Sequence, residues 1–359
     1  MTSCFELQSF LTTIAPADES WIRRAQERQD RLTKPPGSLG RLEEIANRIC
    51  AMQRTLEPRT DNPAILIFAA DHRVCDERVN PFPQSVTRQM LANFLAEGAA
   101  INALAKSAGA TLTVVDVGVL GSPLEDAKLL TRRIRAGARN FCREPAMSEE
   151  EAIAAIGAGI QTADEAVRSG STLLAIGEMG IGNSTVASAV CAAITKAEPA
   201  AVCGRGTGSD DAGLARKRDV VARALALHHQ HLTTPLDVVA RLGGFEIAAM
   251  CGACLSAAHH RVPLIVDGFI SAAAAAIAVL INEAVRDYLI AAHQSTEPGH
   301  RAFLDFLQLE PLLQLKMRLG EGTGAALAIP IVRAAVAAFR SMKTFESAGV
   351  AESIVKTTG

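Results

Sequence analysis

Aromatic side chains and net charge are both scarce in this sequence. Only 4% of the 359 residues are aromatic, with one Trp and one Tyr, and 36 basic residues nearly balance 38 acidic ones. Proteins that bind nucleic acid present basic patches and aromatic platforms, and anionic membranes attract basic segments. The composition therefore argues against nucleic acid and membrane as partners, and it favours a small-molecule ligand.

A long hydrophobic run and a cysteine framework are also missing. The N-terminus has no basic start followed by an apolar stretch, so it does not resemble a signal peptide. The apolar run at 270–281 is too short and too rich in alanine to span a bilayer. The eight cysteines are scattered without regular spacing, which is typical of reduced thiols in a cytosolic protein. We therefore expect a cytoplasmic protein.

The central part of the sequence alternates short apolar runs with helical patterns. Apolar runs of strand length occupy 64–70, 112–117, 173–176 and 264–266. Helical patterns lie at 85–106, 148–169, 183–196, 209–231, 243–259 and 270–284. Runs as uniformly apolar as these predict strands buried on both faces, and hence a parallel sheet. Their alternation with helices indicates an α/β fold with right-handed crossovers.

The ends of the apolar runs carry residues suited to a binding site. These residues are Asp71, Gly118, Glu178 and Asp267. In an open parallel sheet the ligand binds beyond the carboxyl ends of the strands, so we expect the four to line one mouth. His72 follows Asp71, and the two form either an acid/base pair or a purely structural hydrogen-bonding unit.

Three glycine-rich segments precede helical patterns and are candidate anion-binding loops. Their sequences are GEMGIGNST at 177–185, GRGTGSDD at 204–211 and RLGEGTGAAL at 318–327. Glycine lets backbone N–H groups approach an anion closely, and a helix start adds its positive dipole end. The spacing fits neither a dinucleotide fingerprint nor a P-loop. Each loop alone is compatible with a structural turn, but three at one sheet edge favour a ligand with a phosphate and a second anionic group.

Glu321 and Lys217 are the candidate reactive groups of these loops. Glu321 lies in a turn where Asp, Asn or Gly is the usual residue. A carboxylate beside an anion site suggests proton chemistry on a phosphorylated substrate, and a solvated loop glutamate is the alternative. Lys217 follows the second loop and has the reach to bind a phosphate; the alternative is a surface basic cluster, which is the better explanation for its neighbours Arg216 and Arg218.

Metal-binding patterns are weak. Asp210 and Asp211 are adjacent at a helix start, where aspartates usually cap the helix. Cys251 and Cys254 have the spacing of a zinc knuckle but lack a second pair and lie in an apolar helix. We predict no metal and no cofactor.

Eight motifs in order give the sequence a family resemblance. They are KPPGSLGRL at 34–42, ADH at 70–72, PQSVT at 83–87, GEMGIGN at 177–183, GRGTG at 204–208, GGFE at 243–246, VDGF at 266–269 and RLGEGTG at 318–324. Together they resemble the nicotinate-nucleotide:dimethylbenzimidazole phosphoribosyltransferase family of cobalamin lower-ligand activation. The resemblance implies transfer of the phosphoribosyl group of nicotinate mononucleotide to a benzimidazole-type base, with release of nicotinate.

The resemblance also implies roles for individual residues. Glu321 is expected to be the general base. The nucleotide site is expected to contain Glu178, Gly180, Gly182, Asn183, Gly204, Gly206, Lys217, Asp267, Gly320 and Gly322. The base pocket is expected to contain Asp71, His72, Phe82, Met90 and Leu319.

An architecture and an assembly follow from the same resemblance. It implies a Rossmann-like parallel sheet flanked by helices, with a small helical domain built from the two chain ends. We expect the catalytic domain at 61–325 and the small domain at 1–60 plus 326–359, in a homodimer.

One segment departs from the usual family pattern. Arg73 and Arg78 replace residues of a Gly-Val and a Glu-Gly pair, and Asn80-Pro81-Phe82-Pro83 follows. This segment leads into the acceptor pocket of the family, so the identity of the accepted base stays open. Two other functions also remain: a nicotinamide-dependent oxidoreductase, which would need a dinucleotide fingerprint after the first strand, and a nucleotide- or base-binding protein without catalysis.

Overall fold

A parallel sheet organises the computed structural model, which describes residues 7–351. The strands are β1 (Ala64–Ala70), β2 (Thr111–Gly118), β3 (Leu129–Thr131), β4 (Leu174–Met179), β5 (Leu264–Val266) and β6 (Leu289–Ala291). Their order across the sheet is β3-β2-β1-β4-β5-β6. The order reverses between β1 and β4, as in a doubly wound Rossmann sheet, and ligands bind at this reversal. The expected α/β, Rossmann-like fold is confirmed.

The register of the strands brings their carboxyl ends to one edge. β1 is buried along its whole length and pairs in parallel with β2 and β4. Every other neighbouring pair is parallel as well. The residues at the ends of β1, β2, β4 and β5 therefore lie on one side of the sheet, as the apolar runs predicted. The sequence did not indicate β3 and β6, the three-residue strands at the two edges.

Helices cover both faces of the sheet and the two chain ends. They are α1 (Leu7–Leu11), α2 (Glu19–Arg31), α3 (Arg41–Gln53), α4 (Ser85–Leu95), α5 (Ala100–Ala108), α6 (Glu149–Arg168), α7 (Asn183–Thr195), α8 (Pro199–Val202), α9 (Asp211–His228), α10 (Pro235–Leu242), α11 (Phe245–His259), α12 (Phe269–Ile281), α13 (Pro298–Leu307), α14 (Thr323–Ser341) and α15 (Phe345–Ala348). Short 3₁₀ helices cover Arg73–Glu77, His229–His231 and Glu283–Tyr288.

Two helix boundaries differ from the sequence prediction. The pattern at 85–106 is two helices, because Glu97 adopts a left-handed φ of 61° and Gly98 packs against the Asn93 side chain. α10 was not predicted. Thr234 caps its start and Pro235 is its first residue, while Gly243 and Gly244 separate its end from α11.

Two glycines let α6 and α11 approach closely on one face of the sheet. A Cβ at Gly159 would overlap the carbonyl of Ala249, and a Cβ at Gly252 would overlap the carbonyl of Ile156. Backbone therefore packs on backbone at this crossing. α11 also contacts β1, β2 and β4, so this packing supports the strands that end at the site.

The two chain ends pack on each other, as a small domain built from both would require. Arg28 of α2 donates to the carbonyls of Phe339 and Arg340, and Ala25, Ala46, Cys50 and Phe339 form a separate apolar cluster. α14 is nevertheless continuous across residue 326 and also contacts β4 and β5. The proposed boundary at this residue therefore stays a prediction.

α14 also has the length and hydropathy of a membrane span. It is the one helix of residues 7–351 that does, and 56% of its apolar 18-residue stretch is buried. It packs against α3 and α5, as the core helix of a globular fold would.

Candidate active site

A crevice lies beyond the carboxyl ends of β4 and β5, where the three glycine-rich loops converge. One part of this crevice lies between the 177–183, 204–208 and 318–322 loops. Its lining includes Asn80, Glu178, Gly180, Asn183, Ser184, Gly206, Ile270, Glu297, Arg318, Leu319 and Glu321. An adjoining part is lined by Asp267, Ser271, His293, Ser295 and Gly320, among others. The expected convergence of the loops is thus present.

The loop that carries Glu321 has an unusual backbone. Gly320, Glu321 and Gly322 all have positive φ angles, of 84°, 60° and 77°. A Cβ at Gly320 would overlap Oε1 of Glu178, so this position accepts only glycine without rearrangement. A left-handed glutamate is strained, and such strain persists where the surroundings fix it, often at functional sites.

Asp267 holds the Glu321 loop in place through two hydrogen bonds. Its Oδ2 accepts the N–H of Gly322 at 3.1 Å, and its Oδ1 accepts the N–H of Ala325 at 2.9 Å. The carboxylate therefore caps the start of α14, where the helix dipole also favours a negative charge. Burial raises the pKa of Asp267, although His293 and the backbone donors oppose the rise.

The Glu321 carboxylate is buried, and one of its oxygens is able to accept a proton. The residue is 6% exposed, and Oε2 has no hydrogen-bond partner among the described residues. Burial, with a smaller contribution from the charge of Asp267, raises the pKa of Glu321 to about 7. The interpretation as a solvated loop glutamate is therefore wrong. A carboxylate with this pKa is suited to accept a proton at neutral pH.

Glu178 is a second buried carboxyl group at the crevice. Its Oε2 accepts a hydrogen bond from Nδ2 of Asn183, the first residue of α7. Burial raises the pKa of Glu178 to about 8, with the charges of Asp267, Glu246 and Glu321 adding to the rise. Glu178 therefore holds a proton at neutral pH more readily than an exposed glutamate does.

The 177–183 loop lies tightly on the end of β1. A Cβ at Gly180 would lie 2.5 Å from the carbonyl oxygen of Ala70, and one at Gly182 would lie 2.7 Å from Sγ of Cys75. Gly182 has a φ of 96° and precedes α7. The close approach explains the glycines and directs the start of α7 at the crevice, where it favours an anion.

The 204–208 loop is held by two charged side chains from elsewhere in the chain, and a third, Lys217, lies beside it. Glu297 Oε1 accepts the N–H of Gly206 at 3.0 Å, and Arg318 donates to the Gly206 carbonyl at 2.9 Å. Lys217 is buried in α9 and donates from Nζ to Oγ of Ser184 at 3.0 Å. Burial lowers the pKa of Lys217. A surface basic cluster is therefore the wrong explanation for Lys217.

Asp71 and His72 are buried behind the loops. Asp71 Oδ2 accepts the N–H of Leu120 at 2.8 Å, and Nε2 of His72 lies 2.9 Å from Oε1 of Glu246. Burial alone would lower the pKa of His72, but the charge of Glu246, its hydrogen bond to the ring and the charge of Asp71 together raise it. A Cβ at Gly180 would lie 3.1 Å from His72 Nε2, so the pair supports the 177–183 loop. That Asp71 and His72 belong to the base pocket stays a prediction.

The other base-pocket candidates differ in position. Leu319 lines the crevice and is 54% exposed, and Phe82 is 48% exposed. Met90 is half-buried in α4. Arg73 and Arg78 are exposed, and Arg78 has a left-handed φ of 57°. Asn80, from the same segment, reaches the crevice.

Several crevice residues were not predicted from the sequence. They are Asn80, Ile270, His293, Ser295, Glu297 and Arg318. Glu297 precedes Pro298 at the start of a helix, a common arrangement that carries no functional signal. Arg318 belongs to a motif that the sequence had already singled out, so its position beside Glu321 was the available indication.

Metal ligands do not cluster in the described residues 7–351. No group of three or more His, Cys, Asp or Glu side chains there could hold a metal ion. Asp210 caps α9 by accepting the N–H of Gly213 at 2.7 Å, as expected. Cys251 and Cys254 are buried free thiols of α11.

Comparisons with known proteins agree with the geometry. A family model described as "Phosphoribosyltransferase" matches residues 14–350. The nicotinate-nucleotide–dimethylbenzimidazole phosphoribosyltransferase of Chloroflexus aurantiacus is 49% identical, over 97% of this chain and 99% of its own. The enzyme of the same name from Geobacter sulfurreducens is 48% identical, over 96% and 98%. A crystal structure of the enzyme from Thermus thermophilus is 46% identical with a TM-score of 0.89, over 94% of this chain and all of that one.

Proposed function

Since this chain belongs to the nicotinate-nucleotide:dimethylbenzimidazole phosphoribosyltransferase family, we propose that it catalyses the transfer for which the family is named. The phosphoribosyl group of nicotinate mononucleotide passes to 5,6-dimethylbenzimidazole or a related base. The products are α-ribazole 5'-phosphate and nicotinate, and the step belongs to cobalamin nucleotide-loop biosynthesis. The observation that carries the proposal is the buried Glu321 carboxylate between glycine-rich loops, whose Oε2 has no hydrogen-bond partner within residues 7–351.

Glu321 serves as the general base of the reaction. The leaving group of nicotinate mononucleotide is already a pyridinium, so its departure requires neither protonation nor a metal. One nitrogen of the base attacks C1′ from the side opposite the leaving group, and the configuration at C1′ inverts. As the new bond forms, the N–H on the other nitrogen becomes acidic. The Glu321 carboxylate, with its pKa raised to about 7, accepts that proton.

The donor nucleotide is held by the other loops. The start of α7 and the buried Lys217 supply positive potential for its anionic groups. Holding donor and acceptor in line reduces the entropy that the reaction must lose, which is a major source of rate in transfer reactions. Asp267 contributes by fixing the backbone on which Glu321 stands.

The two other candidate functions fit the site less well. An oxidoreductase would need a glycine-rich turn directly after β1, and Asp71 and His72 occupy that place. A protein that only binds a nucleotide or base has no use for a carboxylate whose pKa is raised to about 7. We further propose that the protein acts as a cytoplasmic homodimer on these small molecules.

Product analysis tests the proposed function. The protein is incubated with nicotinate mononucleotide and a panel of benzimidazoles, purines and phenols, and mass spectrometry detects base–ribose phosphates and nicotinate. We expect equal amounts of nicotinate and of one or more base–ribose phosphates. Release of nicotinate without a base–ribose product would contradict transfer, and so would the absence of both products with every base.

A further inference from the structure

Glu297 occupies a position in the crevice that the proposed reaction leaves unexplained. The residue precedes α13 and is 8% exposed. Its Oε1 accepts the N–H of Gly206 at 3.0 Å, while its buried Oε2 has no hydrogen-bond partner among the described residues. A buried carboxylate with one unsatisfied oxygen is unfavourable, so a role in binding is a better explanation than a role in stability.

The surroundings of Gly206 are those of a phosphate site. A Cβ at Gly206 would lie 2.7 Å from Nζ of Lys217 and 2.8 Å from Oγ of Ser184. An ammonium, a hydroxyl and a backbone N–H therefore meet at this glycine, and these are the donors that bind phosphate oxygens in proteins. Arg318 holds the loop in place through the Gly206 carbonyl.

The Glu297 carboxylate takes one of these donors, because its Oε1 accepts the Gly206 N–H. Burial raises the pKa of Glu297, and the charges of Lys217 and Arg318 together with the Gly206 hydrogen bond oppose the rise. Glu297 therefore already lies in the positive potential that a phosphate would use. A phosphate that bound Lys217, Ser184 and the Gly206 N–H together would compete with the carboxylate for that N–H. The phosphate and the Glu297 carboxylate, both beside the Gly206 N–H, would also repel each other.

We propose that Glu297 stands in for the donor's phosphate in the ligand-free protein, and that the phosphate displaces it from the Gly206 N–H when the donor binds. The inference rests on the proposed function, because it assigns the phosphate of that donor to this corner of the crevice. The carboxylate keeps the 204–208 loop in its binding shape while the site is empty. Because the carboxylate competes for the Gly206 N–H, it also lowers the affinity of the site for phosphate groups.

Sulfate binding tests this displacement without any turnover. Sulfate remains a dianion near neutral pH and has the tetrahedral shape of phosphate. Calorimetry gives its dissociation constant for the wild type, for Glu297→Gln and for Glu198→Gln. Glu198 is exposed and has the same charge, so its variant controls for the change in net charge. We expect Glu297→Gln to bind sulfate about tenfold more tightly, because a neutral amide gives up the Gly206 N–H more readily than a carboxylate. The control should match the wild type.

Unchanged or weaker sulfate binding by a folded Glu297→Gln variant would overturn the proposal, since Glu297 would then be a structural or substrate-binding group. A crystal structure of the wild type with sulfate gives an independent check that does not depend on the variant. Sulfate on Lys217 and Gly206 with Glu297 moved away supports displacement, and an intact Glu297–Gly206 bond beside the sulfate contradicts it. Since neither measurement needs product formation, failure of this inference is distinguishable from failure of the transferase function.

Discussion

Replacing Glu321 by Gln separates the role of this side chain in proton transfer from its effect on the stability of the fold. The substitution keeps the size of the side chain and its left-handed backbone position. It removes the only group that we assign to accept the proton of the base. A positioned general base typically contributes about 10² to 10⁴ in rate, so we expect kcat to fall by about that factor. The KM for nicotinate mononucleotide should change little.

The same substitution should stabilise the protein at alkaline pH. The pKa of Glu321 rises from an ordinary value of 4.5 to about 7 on folding, which corresponds to about 3 kcal/mol. Water in the crevice screens part of this charge, so we expect about 2 kcal/mol. Below pH 4.5 Glu321 is neutral in both the folded and the unfolded chain, so it has no such effect on stability. As the pH rises from 4.5 through about 7, the unfolded chain loses this proton more readily than the folded protein, and the fold loses stability. Glu321→Gln should therefore be more stable than the wild type above that pH, and similar to it near pH 4.5.

Two measurements check this pair of effects. Steady-state kinetics with the base and nicotinate mononucleotide give kcat, and urea unfolding at several pH values gives the free energy of unfolding. Glu27→Gln, at an exposed position of α2, is the control for the loss of one carboxylate. Turnover near the wild-type value would show that Glu321 is not the base. Equal stability of variant and wild type at high pH would refute the argument from burial.

Further expectations concern pH dependence and two close glycine contacts. In the wild type, kcat/KM should fall about tenfold per pH unit below about 7, as Glu321 becomes protonated; a pH profile without this limb would contradict the assignment. Gly320→Ala should lose most activity and about 1 to 3 kcal/mol of stability, because φ is positive and the methyl group overlaps Glu178; kinetics and urea unfolding measure the two effects. Gly252→Ala should separate α6 from α11 and lower the melting temperature, at a cost of about 1 to 3 kcal/mol; calorimetry would find no change if the helices were loosely packed.

The sequence predicted the parts of the site that depend on local pattern. Uniformly apolar runs indicated parallel strands, and parallel strands bring their carboxyl ends together, so the position of the 177–183 loop followed from β4. The 204–208 and 318–322 loops follow the helices α8 and α13, so their position beside it depends on tertiary contacts. Glu321 was identifiable because an acidic residue is unusual inside a glycine-rich turn. The position of the first loop and the choice of Glu321 needed only the pattern of residues along the chain and the general geometry of parallel sheets.

The remainder of the site depends on contacts between distant segments. Glu297 lies 91 residues from Gly206 in the chain, and nothing near it indicates that α13 begins beside the second loop. The pairing of His72 with Glu246 joins the end of β1 to α11, so the sequence could not show whether His72 lies in the crevice or behind it. The strands β3 and β6 were missed because three residues carry too little pattern for a prediction.

The charge distribution of the crevice suits the proposed donor better than it suits a simple anion. Glu178, Asp267 and Glu321 bring three buried carboxyl groups together, and each has a pKa that burial raises. A ligand that carried only negative charge would raise these pKa values further and gain nothing from the carboxyl groups. Nicotinate mononucleotide carries a pyridinium beside C1′, and positive charge moves onto the ribose as that bond breaks. In the proposed complex this positive charge would lower the pKa of the nearby carboxyl groups, and their ionised forms would stabilise it in turn. Lys217 and the start of α7 would attract the anionic groups of the same molecule. Ionising the buried carboxyl groups is unfavourable in the empty site. A donor that carries both signs of charge offsets this free energy, and it does so most in the transition state.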